Sequence, residues 1–295
     1  MQTKTLRRVP RAPIYAIIAL ATFCTATHYA LVVISAHIML VAIPPPPAPA
    51  PPNNFAVVTV LVGGDAHAQS LVPNFVECLT GIARRLPPNI ARVCLYDTRV
   101  HVGPVEGWDM RPVSPIAAPH GDVSNHYTSA GVYAKLHVWN LTSYDAVLYL
   151  DLDTLPLRSV YPLFTVQLPM MIAANMSVGM VRDTLAPVRS RGFNTGVLLI
   201  RPDASEYGAL VANIDIVPHT LEAGEQNYLN EFYRGRIFEL PSVYNVLNND
   251  KTKNARGWQE IESQIVILHF VAKPWSYHQC VRNWIEDTCL VWHWL

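Results

Sequence analysis

The stretch DAVLYLDLD, residues 145–153, decides how the chain folds. Ala146 to Leu150 form a continuous apolar run of the length and composition of a buried strand. The run closes on two carboxylates, Asp151 and Asp153. Residues i and i+2 of a strand project to the same side, so an extended reading sets two like charges side by side at the strand's carboxyl end. Burying such a pair without a partner is costly. The pair should therefore hold something cationic.

The segments around it alternate in type. FAVVTVLVGG (55–64) is a β-branched run ending in two glycines, and ARVCLYD (91–97) is a second short strand. Between them, residues 69–86 carry apolar side chains at helical spacing, with Pro73 tolerable in the first turn. SAGVYAKLHVWNL (129–141) reads as a helix that delivers the chain to the 145–153 strand. Further on come a strand at GVLLIRP (196–202), helices around Glu206–Asn213 and Glu225–Tyr233, and a strand at QIVILHF (264–270). This order predicts an α/β fold, a parallel or mixed central sheet flanked by helices. Ligands of such sheets gather beyond the carboxyl ends of the strands, where Asp151, Asp153 and His269 all fall.

The N-terminal part has a different character. Lys4, Arg7, Arg8 and Arg11 precede an uncharged run from 14 to 43, longer than the roughly 20 residues that span a bilayer and longer than the core of a cleaved signal peptide. The expectation is a cytoplasmic tail (1–13), a transmembrane signal-anchor (14–43) oriented by its basic flank, and a proline-rich stem (44–54). The stem's PPPPAPAPP run is a stiff polyproline spacer. Residues 55–295 then form the folded domain, placed in the lumen of the Golgi or endoplasmic reticulum. In that compartment the sequons at Asn140 and Asn175 become meaningful, and Cys280 and Cys289 are near enough in sequence to pair.

Composition excludes several classes. With 22 basic and 22 acidic residues, the chain has no excess charge for a nucleic-acid backbone. No paired CxxC spacing supports a zinc finger, no glycine-rich Walker loop supports an NTPase, and no nucleophile elbow is present.

The Asp-x-Asp pair suits a hard divalent ion bridging protein carboxylates and substrate phosphates, Mg²⁺ or Mn²⁺. An imidazole from His269 would tilt the preference to Mn²⁺, although a single strand-end histidine is more often structural. Lys273 and Lys135 could each serve a phosphate or simply face solvent.

The blocks 128–164, RGFNTGVLLIRP, EAGEQNYLN (222–230), LPSVYN (240–245) and LHFVAKPW (268–275) occur in an order that closely resembles glycosyltransferase family 8, the glycogenin-like enzymes. The resemblance implies a GT-A fold and retaining sugar transfer from a UDP-sugar donor with Mn²⁺, to a carbohydrate or glycoprotein acceptor. It also implies roles: Asp151, Asp153 and His269 as metal ligands, and Lys273 as the cation that neutralises departing UDP; Arg201, at the end of a neighbouring strand, is the substitute cation should the short loop turn Lys273 to solvent. Lys135 would contact the donor, Asn194 the sugar hydroxyls, and Glu225 and Gln226 the sugar and its reacting face. Val58, Thr59, Asp65 and His67 would line the uridine pocket. Three departures stand out. Glu225 replaces the family's usual aspartate, and the Phe270–Ala272 loop is short and lacks glycine. The tyrosine that glycogenin glycosylates has no counterpart in VLNNDKTKNARGW. Two rival readings are a catalytically silent glycan- or nucleotide-binding module and a metal-dependent nucleotide-sugar hydrolase.

Overall fold

The structure is a computed structural model that describes residues 54–63, 66–118, 131–183 and 192–271. Its centre is a seven-stranded sheet. In chain order its strands are β1 (Phe55–Leu61), β2 (Ala91–Asp97), β3 (Asp109–Val113), β4 (Ala146–Leu150), β6 (Val178–Arg182), β7 (Phe193–Ile200) and β8 (Ile237–Glu239). In space they run β3-β2-β1-β4-β7-β6-β8. β1 is parallel to both β2 and β4, whereas β7 is antiparallel to β4 and β6. The sheet is therefore mixed, as expected.

All seven residues of β1 are buried, because helices cover both faces. Alternate residues divide between two cores. Phe55, Val57 and Leu61 pack with Phe75, Leu79 and Ile82 of the helix Val72–Arg85. Ala56, Val58 and Val60 pack with Tyr133, Leu136 and Trp139 on the other side. Burying each such large apolar side chain contributes about 1.5–3 kcal/mol, so a one-residue slip of β1 would exchange the two cores and is strongly disfavoured.

Four features depart from the sequence-based expectation. The strand at 145–153 stops at Leu150, and Asp151–Asp153 form a turn closed by Thr154 N–H donating to Asp151 O at 3.0 Å. The carboxylates therefore converge through the turn, not by sharing a strand face. The helix at 129–141 is a 3₁₀ segment, Val132–Asn140, entered through Gly131 at φ +77°. Its side chains are buried almost all round, so packing rather than a one-sided pattern sets its winding. The last strand, β10 (Ile267–His269), joins a separate three-stranded sheet with β5 (Thr154–Pro156) and β9 (Val246–Leu247). Finally, the edge strand β3 contains Pro112, which an edge position tolerates and a central one would not.

Among the described residues no helix is long and apolar enough to cross a membrane. The expected anchor at 14–43, its stem, and the Cys280–Cys289 pair lie outside those residues. Cys78 and Cys94 are buried thiols outside any disulfide, and burial pushes the Cys94 thiol up to about 12. Asn140 and Asn175 are both exposed.

Candidate active site

The carboxyl end of β4 meets the start of β7 because the two strands are antiparallel. Leu150 pairs with Val197, and the Asp151 amide donates to Gly196 O at 2.8 Å. The Asn194-Thr195-Gly196 segment is thereby set against Asp151. From the small sheet, β10 pairs antiparallel with β5 so that His269 opposes Thr154. That register brings the imidazole to the turn. One ligand atom from each of Asp151, Asp153 and His269 lies within 4.8 Å of the others, and His269 Nε2 is 3.4 Å from Asp153 Oδ1. Two carboxylate oxygens and one imidazole nitrogen at this spacing fit a divalent cation such as Mn²⁺.

Beside this cluster sits a buried charge network. Lys135, held under the sheet by the 3₁₀ segment, donates to Glu225, to Thr195 O at 3.2 Å and approaches Asp151 Oδ1 at 3.2 Å. Its ammonium also lies 4.8 Å over the Tyr149 ring. Burial by itself would lower the Lys135 ammonium, but Asp151 and Glu225 outweigh it and push it up to about 12. The folded value is raised above the free one of 10.5, so the stability it contributes is complete below that pH and is lost only as pH rises through about 12. Three N–H groups meet three acceptors, which leaves the ammonium no spare donor. Without a donor, Lys135 thus holds Glu225, Thr195 and Asp151 together.

Tyr149 donates to Asp151 Oδ1 at 2.5 Å. Burial first, and the neighbouring Asp151 charge second, hold its phenol well above the usual range, so it remains a donor. The period of two places Tyr149 on the side of Asp151, a signal that was legible but was absorbed into the apolar run. Thr195, Gly196 and Asn245 also belong to the site and carried no signal of their own in the sequence.

The other residues singled out from the sequence divide clearly. Glu225 Oε1 receives Lys135 and the Thr195 hydroxyl, while its Oε2 has no hydrogen-bond partner among the described residues. Gln226 is clamped: its Oε1 accepts from Thr195 N at 3.2 Å and its Nε2 donates to Asp183 Oδ2 at 3.0 Å. Asn194 Oδ1 accepts from the Gly196 amide at 2.9 Å and from Asn245 Nδ2 at 2.8 Å, leaving its Nδ2 for other partners. Val58 and Thr59 lie in mid-strand at 0% exposure. Their side chains have no surface to offer a nucleotide. Arg201 follows the carboxyl end of β7, which antiparallel pairing puts at the opposite edge of the sheet, beyond the Val147–Ile200 pair. It cannot stand in for Lys273. Asp65, Lys273 and the side chain of His67 lie outside the described residues.

Gly196 is fixed sterically. A Cβ there would stand 2.7 Å from His269 Nδ1 and closer still to Cε1. Gly196→Ala is expected to push the imidazole aside and destabilise the domain by about 1–3 kcal/mol, the usual range for overpacking. Chemical denaturation reads this directly, and an unchanged midpoint would mean that the ring does not pack on this glycine.

A mixed sheet with an acidic and imidazole cluster beyond its strand ends defines the class, an α/β protein with a candidate divalent-metal site. Residues 104–279 match the profile of glycosyl transferase family 8, and the chain belongs to that family. It is 24% identical over 247 residues to galactinol synthase 2 of Solanum lycopersicum, covering 74% of this chain and 67% of that protein. It is 22% identical over 213 residues to inositol phosphorylceramide glucuronosyltransferase 1 of Arabidopsis thaliana, 64% of this chain and 36% of the other. With glycogenin-1 of Caenorhabditis elegans it shares 30% over 158 residues, 51% of this chain and 34% of that one. The chain thus spans little more than a third of the length of two of these three relatives. Among solved structures, the galactosyltransferase LgtC in complex with donor and acceptor sugar analogs superposes with a TM-score of 0.53 at 17% identity, over 81% of this chain and 94% of that one. GlyE of Streptococcus pneumoniae gives 0.54 at 20%, over 81% and 62%. At those identities the likeness is one of fold.

Proposed function

We propose that the chain catalyses Mn²⁺-dependent transfer of a sugar, with retained configuration, from a UDP-sugar to a glycan or glycoconjugate acceptor, as a single-pass protein of the secretory pathway. The observation that carries this reading is the convergence of Asp151 and Asp153, from one turn, with His269, from a distant strand, beside the Lys135–Glu225 pair. A divalent cation held by these three residues would supply positive charge against the diphosphate of the donor.

The remaining chemistry falls to the chain itself. Glu225 Oε2 and Asn194 Nδ2 are the uncommitted polar atoms suited to sugar hydroxyls. Lys135 holds Glu225 and Asp151 at fixed separation, so that neither carboxylate has to reorganise when a donor enters. Gln226, clamped between Asp183 and Thr195, offers a rigid amide beside them. Lys273, close to His269 in sequence, serves the departing phosphate.

The test is a donor screen. Full-length protein in detergent, with Mn²⁺ and a panel of UDP-sugars, should release UDP faster when a carbohydrate acceptor is added. Release that ignores every acceptor would point to hydrolysis instead, and no release with any donor would refute the proposal.

A further inference from the structure

We propose that Asn245, aimed by Asn194 and the Gly196 amide, is a positioning residue that locks His269 in the tautomer protonated on Nδ1. Nε2 is then presented toward Asp153 as a lone pair. The purpose of this device rests on the metal reading of the site; its evidence is the direction of the hydrogen bonds.

The chain of bonds begins at a group whose role is unambiguous. A backbone N–H can only donate, so the Asn194 atom 2.9 Å from Gly196 N is the carbonyl oxygen. Asn245 approaches the same oxygen at 2.8 Å and must turn its NH₂ toward it. The other end of that amide, Oδ1, therefore faces His269 Nδ1 at 3.0 Å. An acceptor there requires a donor, so the ring proton sits on Nδ1. Nε2, 3.4 Å from Asp153 Oδ1, is left as the nitrogen with an available electron pair.

Burial makes the assignment strict. Asn194 is 9% exposed, and Asn245, His269 and Asp153 are each 4% exposed. Water has little room to replace a lost partner, and a reversed Asn245 amide would set two carbonyl oxygens against each other at the Asn194 end. Other histidines of the chain show the structural alternative. His137 closes its ring nitrogens on Ser114 O and the Tyr207 hydroxyl, and His219 on Val217 O and the Tyr133 hydroxyl. Both are satisfied by neutral partners. His269 instead has one nitrogen fixed by an amide relay and the other facing a carboxylate. That is the arrangement of a metal-ligating imidazole with its outer partner.

Full-length protein labelled with ¹⁵N-histidine and stripped of metal reads the tautomer directly, with a His269→Gln spectrum assigning the resonance. The expected result is a protonated Nδ1. Asn245→Leu should lose this preference and bind Mn²⁺ about 10–100-fold more weakly, the usual loss for an outer partner of a ligand. An unprotonated Nδ1 in the parent protein would overturn the proposal, as would a folded Asn245→Leu with undiminished Mn²⁺ affinity. If Asn245→Leu fails to fold, the parent spectrum decides alone. The expected tautomer in a protein that binds no Mn²⁺ would support the relay and remove the metal reading, so the two stand or fall separately.

Discussion

Lys135→Met is expected to destabilise the domain by about 3–5 kcal/mol, the cost of leaving a buried carboxylate without its partner. Lys135 and Glu225 have side chains only 8% and 9% exposed, so the abandoned Glu225 would have almost no water to turn to. Asp151, with its side chain 29% exposed, can hydrate and adds less. For a domain of this size the loss corresponds to a fall in Tm of about 10 °C. Adding Glu225→Gln to Lys135→Met should recover much of the loss, because the uncompensated charge disappears with it. Differential scanning calorimetry on the two single variants and the double one decides the matter. Additive losses would show that the pair does not interact, and an unchanged Tm for Lys135→Met would show that the ammonium is not buried as described.

Asp153→Asn keeps the shape of the side chain and removes its charge. Asp153 is 4% exposed and stands 3.4 Å from His269 Nε2, so the substitution takes one anionic ligand from the cluster while changing little packing. Transfer is expected to fall by at least 10²–10³, the usual loss for a single electrostatic stabiliser. A second readout is independent of turnover. A cation present at 100 times its dissociation constant stabilises the folded state by about 2.7 kcal/mol, so Mn²⁺ should raise the Tm of the parent protein and leave that of Asp153→Asn almost unmoved. Equal shifts in both would exclude Asp153 as a ligand.

Much of the site was legible because it is local. A long apolar strand ending in Asp-x-Asp marks a ligand-facing strand end, and His269 carries the same mark at the end of its own apolar run. Residues whose roles depend on distant partners were not legible. Asn245 has no chemistry of its own that sets it apart from Asn248 or Asn249. Its place between Asn194 and His269 exists only once β7, β9 and β10 are assembled. Val58 and Thr59 erred in the other direction, since β1 was correctly found but both residues are wholly buried within it.

The sequence by itself determined the α/β class, the alternation of strands and helices, and the strand end on which Asp151 and Asp153 sit. These follow from periodicities of 2 and 3.6 residues, which are properties of a short window. Only the tertiary structure decided that β7 runs antiparallel to β4. That single direction delivers Asn194, Thr195 and Gly196 to Asp151 and sends Arg201 to the far edge of the sheet. It alone also decided that β10 leaves the main sheet to pair with β5, which carries His269 to the turn. Strand direction and partner choice are set by hydrogen bonds and packing between segments far apart in the chain, and no local pattern encodes them.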